Sequence, residues 1–311
     1  MQSDDTISLP GIANNGKIKS KPSIWFRLMR NTSVLAGLAL FLFIVLMAIF
    51  APKLATVDPI AINPANRLKP PGFEATIRDD EGNKFQVTAH MGTDSLGRDI
   101  YSRVVYGARI SLIIGIAVAL FSVLVGTMLG LISGYFRWID AIMMRIMDGL
   151  MAIPAILLAI ALVSLSGASL AAVVVAIAIP EVPRVVRLVR SIVLSIREEP
   201  YVEAAVAAGT PTVKILQWHI LPNTIAPLIV QGTFISGSAI LLEAILSFLG
   251  VGIPPEVPTW GNIMAEGREF FQVHPHVIFF PGIFLSLTVL AINMLGDGLR
   301  DTLDPRMERK I

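Results

Sequence analysis

Residues 198–223 read EEPYVEAAVAAGTPTVKILQWHILPN, and the question they raise is what a polar, punctuated hairpin does between two strongly apolar runs. Pro200 suits the first turn of a helix, where its missing N–H would be unpaired anyway. Tyr201 to Ala208 then predicts a short helix whose Ala204, Ala205, Ala207 and Ala208 leave one surface nearly flat. Gly209 ends it, because glycine adopts the left-handed conformation without steric cost. Thr210 is expected to cap a second helix with Pro211 at its first position. That helix carries Val213, Ile215, Leu216 and Trp218 before Leu221-Pro222 leads onward. Two short helices at a fixed bend make a rigid knuckle. An ordinary surface hairpin would explain the polarity, but not the direct continuity with an apolar run on each side.

Those runs, VVVAIAI at 173–179 and IAPLIVQGTFISGSAILL at 225–242, belong to a chain shaped for lipid. Of its 311 residues 54% are apolar and 15% charged, against about 25% charged in soluble domains, and the mean hydropathy is +0.70. A net charge of +2 with no basic, aromatic-interleaved run gives no support to nucleic-acid binding. Cysteine is absent, which removes disulfides, thiolate metal sites and cysteine nucleophiles together.

Spanning a bilayer takes about 20 apolar residues. The first run, 34–52, follows Lys17, Lys19, Lys21, Arg27 and Arg30, and is longer than a cleavable signal core. Ile110 to Phe136, which carries no charge at all, is the second run. Gly149 to Ile179 is too long for one span and is split at Ser164-Leu-Ser-Gly-Ala-Ser169 into two helices, the first starting near Ala141. Asn223 to Gly250 and Val277 to Leu295 complete the set. The expected fold is all-α and integral to the membrane, with six transmembrane helices. Arg137, Arg145, Arg184, Arg187, Arg190, Arg197, Lys214, Arg300, Arg306, Arg309 and Lys310 then fall on one side, which the positive-inside rule makes the cytoplasm, with both termini there.

The organisation that follows is a cytoplasmic tail over 1–33, a first span over 34–52, an external loop over 53–109, a five-span core over 110–300 and a cytoplasmic tail over 301–311. The core contains the hairpin 199–222. Pro22 to Arg30 mixes Trp25, Phe26, Leu28 and Met29 with arginines, which suits a short interfacial helix or a frayed start of the first span. The loop 53–109, Pro-rich and then polar, is expected to be ordered without forming a separate domain.

Several motifs fail on their context. Gly11 to Lys17 resembles a phosphate-binding loop, but Ile18 stands where a hydroxyl should hold magnesium and no apolar strand precedes it. No cofactor site is therefore assigned to this chain. His274-Pro-His276 lacks a third ligand at a suitable spacing, so no metal site is assigned either. Neither H-E-x-x-H nor G-x-S-x-G occurs, which disfavours an intramembrane hydrolase. Gly126, Gly130 and Gly134 share one helix face and call for close packing, within the subunit or against another. Asp148 follows Arg145 by three residues and can pair with it. Glu243 lies about 30 Å along a helix from Asn223, where it could line a translocation path or hydrogen-bond at a helix end. An ion-coupled secondary transporter using Glu243 or Asp148 as proton carrier is the alternative reading, but the matching interrupted halves of such proteins are not visible.

Glu203-Ala204-Ala205, Gly209 and Leu221-Pro222, at this spacing, resemble the EAA signature of permease subunits of binding-protein-dependent ABC importers. Gly92-Thr-Asp-Ser-Leu-Gly-Arg-Asp99, with Ser102-Arg103 and Tyr106 to Leu112, is similar to the opening of the C-type permease of the dipeptide and oligopeptide branch. His219-Ile-Leu-Pro-Asn223, Arg145 to Asp148 with Pro154, and Glu243 to Gly250 with Thr259-Trp-Gly261 fit the same branch. The resemblance runs from about residue 24 to the end. It implies an inner-membrane, multi-pass type I importer permease paired with a second homologous permease subunit. It also implies two cytoplasmic ATPases that bind ATP and magnesium, and an external substrate-binding protein. This chain would be non-catalytic. Tyr201, Glu203, Ala204, Ala205, Ala208, Gly209 and Thr210 would couple it to the ATPases, and Glu243 would stand as a candidate path residue.

Overall fold

The computed structural model describes residues 31–78 and 84–303. The stretch 22–30, the phosphate-loop look-alike at 11–18 and residues 304–311 lie outside that range. Asn31 opens helix α1 (Thr32–Ile49) by accepting from the Ser33 and Val34 amides at 3.0 and 3.4 Å, satisfying donors that a helix start leaves open. A single turn, Ala51–Leu54, follows.

The all-α expectation is corrected in the next segment. Strands β1 (Phe73–Arg78) and β2 (Lys84–Ala89) pair antiparallel, Phe73 opposite Ala89 and Arg78 opposite Lys84. FEATIR and KFQVTA alternate apolar and polar residues with β-branched Thr76, Ile77, Val87 and Thr88 among them, a period-2 pattern hidden by the overall polarity of the segment.

Helix α2 (Ile100–Tyr135) begins ten residues before the uncharged run. Asp99 caps it, accepting from the Ser102 amide at 2.9 Å and the Ser102 hydroxyl at 2.7 Å. Helices α3 (Arg137–Ala152) and α4 (Ala155–Ser166) meet at 91°. The single helix expected from near Ala141 is broken here because Pro154 cannot donate to the ladder and biases Ile153 toward extended backbone. Ser169, inside the expected turn, caps α5 (Leu170–Ile196) by accepting from the Ala172 amide at 3.1 Å.

The chain continues through α6 (Pro200–Ala207), α7 (Thr212–Phe248), α8 (Trp260–Gly267) and α9 (His276–Leu303). Within α7, Ile215–Ile220 is wound as a π-helix and runs straight into the long apolar part.

Among the described residues four helices, α1, α2, α7 and α9, are long and apolar enough to cross a membrane, and the bent pair α3–α4 makes a fifth if it counts as one span. Helix α5 has the length, but Glu181, Arg184, Arg187 and Arg190 interrupt its apolar run. Leu42, Phe43, Leu124 and Met128 are exposed on their helices, as expected where hydrocarbon rather than water is the neighbour.

Two large apolar clusters, with a smaller one of Met147, Val182 and Val186 between α3 and α5, hold the described bundle. Ile114 and Val118 of α2, Val163 of α4, Ile177 and Val189 of α5, and Ile235 of α7 form one. Ile44 of α1, Val104 of α2, Ile240 of α7, Trp260 of α8 and Ile292 of α9 form the other. The glycine stripe of α2 packs inside the subunit. A Cβ at Gly126, Gly130 or Gly134 would sit 2.5, 2.7 or 2.6 Å from the Cβ of Val185, Val189 or Val193 of α5, respectively. Removing those side chains brings the two backbones close enough for continuous van der Waals contact.

Candidate functional site

The hairpin between α5 and α7 is built from the inside outward. Val202 on α6 and Ile215 and Ile220 in the π-helical segment are fully buried and join the same core as Val189 and Val193. Their burial fixes which face of α6 turns out. That outer face presents Tyr201, Glu203, Ala204, Val206, Ala207 and Ala208, all exposed, with Ala205 partly covered. Three alanines and no long side chain other than Tyr201 and Glu203 give a flat surface that another protein can approach closely.

The bend has the geometry of a Schellman cap. Gly209 has φ +77°, its amide donates to the Val206 carbonyl at 2.9 Å, and the Thr210 amide donates to the Ala205 carbonyl at 3.1 Å. Two otherwise orphaned carbonyls are thereby satisfied. The expectation that Thr210 caps the second helix is corrected: Pro211 occupies the cap position, without a side-chain hydrogen bond. The Thr210 amide is already committed to the Ala205 carbonyl, which ties this residue to the first helix.

Tyr201 ties the hairpin to α7. The Asn223 side-chain amide donates to the His219 carbonyl at 2.7 Å and to the Tyr201 hydroxyl at 3.4 Å, and the Tyr201 and His219 rings lie 6.1 Å apart. Beyond the bend, Val213 and Trp218 are exposed. Exposed apolar side chains beside a flat alanine surface are what a docking surface requires.

The basic residues of α5 separate into two kinds. Arg187 pairs with Asp148 of α3 at 2.5 Å, and Arg190 forms a two-bond fork with Asp140 of α3, its Nη2 at 2.6 Å. The Arg145–Asp148 pair expected from spacing does not form; Asp148 turns to Arg187 instead, because α3 packs across α5. Arg184 differs from both. It pairs with Glu181 of its own helix at 3.0 Å and faces an open groove. Sequence reasoning passed over Glu181, although its i, i+3 spacing to Arg184 was there to be seen.

At the other end of the bundle, the residues of the 92–103 block close around one another. Asp94 accepts from the Leu96 and Arg98 amides at 2.8 and 2.9 Å and from Arg98 Nε at 2.7 Å. Glu266 of α8 receives both Arg98 and Arg103, the latter at 3.2 Å. Arg103 is fully buried. Two carboxylates and two guanidiniums thus clasp the start of α2 to α8, and losing one partner would strand a buried charge at a cost of about 3–5 kcal/mol. Trp260 adds a hydrogen bond from Nε1 to the Val104 carbonyl at 3.0 Å.

Glu243 is fully buried near the end of α7, where its Oε1 accepts from the Ser247 hydroxyl at 2.8 Å. The adjoining turn of α7 is in tight contact with α8: a Cβ on Gly261 would lie 2.7 Å from the Ala244 Cα. The structure therefore separates Glu243 from the hairpin by most of the length of α7.

A many-helix bundle with lipid-facing apolar side chains, two of its helices joined by a bent polar hairpin, defines a multi-pass membrane protein. Residues 122–309 match the family described as the inner membrane component of binding-protein-dependent transport systems, and residues 23–71 match the N-terminal transmembrane domain of oligopeptide transport permease C. The chain belongs to this family of inner-membrane permeases. It is 49% identical over 281 residues to a probable peptide ABC transporter permease of Sinorhizobium fredii, covering 90% of this chain and 91% of that one. It is 45% identical over 283 residues to a dipeptide transport system permease of Alkalihalophilus pseudofirmus, covering 91% and 88%. A glutathione transport system permease of Pectobacterium atrosepticum is 41% identical over 246 residues, covering 78% and 82%.

Proposed function

We propose that this chain forms one half of the translocation path of an ABC importer for short peptides, paired with a second homologous permease. ATP and magnesium are bound by two separate cytoplasmic ATPases, and an external binding protein delivers the substrate. The chain itself does no chemistry. The peptide reading draws on the two relatives named for peptides and dipeptides.

In this reading the membrane is crossed six times, with α5 as the additional span and both termini in the cytoplasm. The charges that keep α5 from standing as an apolar span by itself are largely answered within the bundle, Glu181 by Arg184, Arg187 by Asp148 and Arg190 by Asp140, which is how ionisable groups are tolerated at membrane depth.

The observation that carries the coupling role is the construction of the hairpin 199–222. Tyr201, Glu203, Ala204, Ala205, Ala208, Gly209 and Thr210 form a flat outer face and a locked bend, while Val202, Ile215 and Ile220 root it in the core shared by α5 and α7. A push on such an element is transmitted to two spans instead of being absorbed by a loop. Glu243, packed where α7 meets α8, is assigned to holding those helices together and not to the path.

Glu203 supplies the test. It is the acidic side chain on the exposed face of α6, and reversing its charge at a close-packed contact can cost several kcal/mol. A merely solvated residue would tolerate the change within about 0.5 kcal/mol. Glu203→Lys is expected to reach the membrane in normal amount yet lose ATPase association or substrate-stimulated ATP turnover. Full complex yield together with full stimulated turnover would remove Glu203 from the docking role.

A further inference from the structure

Near the middles of three helices, polar side chains converge on one open groove of about 320 Å³. Glu181 and Arg184 come from α5, Gln231 and Ser238 from α7, and Asn293 from α9. The apolar residues around them make this placement costly unless the groups are used, since ionisable side chains at membrane depth are retained chiefly for substrate paths or proton relays.

The bonding of the groove distinguishes its members. Ser238 is occupied by its own helix, its hydroxyl donating to the Phe234 carbonyl at 3.0 Å. Glu181 is buried, and both of its oxygens accept from the same nitrogen, Arg184 Nη1, at 3.0 Å. The Arg184 side chain is 52% exposed, and among the described residues its Nε and Nη2 make no hydrogen bond. The side-chain amides of Gln231 and Asn293 make none there either. What remains is one edge of a guanidinium, held from behind by a carboxylate, with two free amides beside it.

That edge is the geometry a carboxylate takes in a two-bond fork. Arginine stays charged even where desolvation would neutralise a lysine. Free amides at the side offer both a donor and an acceptor, which suits a peptide unit. We propose that Arg184 binds the free C-terminal carboxylate of a short peptide during passage through the permease, with Gln231 and Asn293 facing its backbone. Glu181 holds the guanidinium by Nη1 and leaves Nε and Nη2 for the substrate. A proton relay fits less well, because arginine does not release its proton in this range. This inference rests on the peptide-importer reading and adds to it the substrate group recognised and the residue that recognises it.

The test uses the complete transporter, with both permeases, the ATPases and the binding protein, reconstituted in lipid vesicles. Uptake of L-alanyl-L-alanine is compared with uptake of L-alanyl-L-alaninamide, each presented at a concentration that saturates the binding protein, so that the ratio reports the permease. Wild type should favour the free acid by about tenfold, the worth of a charge-assisted contact. Arg184→Gln should bring that ratio close to one, and Arg184→Lys, which keeps the charge and loses the fork, should leave it in between.

A wild-type ratio retained by Arg184→Gln overturns the assignment. Should Arg184→Gln fail to assemble with the second permease while Arg184→Lys assembles with an unchanged ratio, Arg184 is an intersubunit contact and the assignment is likewise overturned. If the wild-type transporter shows ATP turnover stimulated by neither compound, the peptide reading fails and the role of Arg184 falls with it.

Discussion

At the scale of single residues, Gly209 shows how a backbone requirement can be isolated. Nothing lies within 4 Å of where its Cβ would be, so any penalty for a side chain comes from φ +77° and not from a clash. Gly209→Ala is expected to cost about 1 kcal/mol and Gly209→Val more, because the left-handed region crowds Cβ against the carbonyl. Gly209→Asn should stay near wild type, since asparagine tolerates that conformation. Measured as substrate-stimulated ATP turnover in membranes carrying equal amounts of complex, the order should be Gly, Asn, Ala, Val. Wild-type turnover by the valine variant would mean that the bend need not be fixed. The glycine was legible in the sequence as a helix terminator. The identity of the next cap was not, since a threonine before a proline looks like a cap until its amide is seen bonded to the preceding helix.

At the scale of elements, the α2–α5 contact invites a paired comparison of two helix glycines. Gly130 faces α5 so closely that an added Cβ would lie 2.7 Å from the Val189 Cβ and 3.0 Å from the Val186 carbonyl oxygen. Gly149, within α3, has nothing within 4 Å. Gly130→Ala should lower the thermal midpoint of the detergent-purified complex, at a cost of about 1–3 kcal/mol from overpacking. Gly149→Ala should leave it unchanged or raise it, by up to about 1 kcal/mol of helix propensity. An unshifted midpoint for Gly130→Ala would mean that the two helices are not held at this separation. The four-residue spacing of the stripe was visible in the sequence, but its partner was not, because a glycine face specifies closeness without naming what approaches. Helix ends followed the same division. Asn31 and Ser169 cap where a polar residue precedes an apolar run. The start of α2 at Ile100 escaped detection because Arg103 looks like a loop residue until its buried partners are known.

At the scale of the whole molecule, the six-span arrangement is open to a direct chemical test, since the chain contains no cysteine. Single cysteines at Glu256, in the exposed connection between α7 and α8, and at Lys214, exposed in the hairpin, should behave oppositely toward an impermeant thiol reagent added to intact cells. Glu256→Cys should be labelled and Lys214→Cys should not, as the distribution of arginine and lysine requires for a cytoplasmic hairpin. Labelling at Lys214→Cys from outside would invert the orientation and take the hairpin away from any cytoplasmic ATPase.

Local patterns in the chain by themselves determined that this is a helical membrane protein, where most of its apolar runs lie, and that a bent polar hairpin joins two of them. Those features depend on hydrophobic length, helix punctuation and the special conformations of glycine and proline, all of which act between near neighbours. Tertiary structure decided the rest. Asp148 chose Arg187 over Arg145, Arg98 and Arg103 found Glu266 across more than 160 positions of chain, and the hairpin in segment 53–109 was distinguished from a polar loop by its pairing. Arg184 was set apart from its neighbours in the same way. Charges choose partners by distance and burial after packing, and no spacing along a single helix contains the position of the helix that packs beside it.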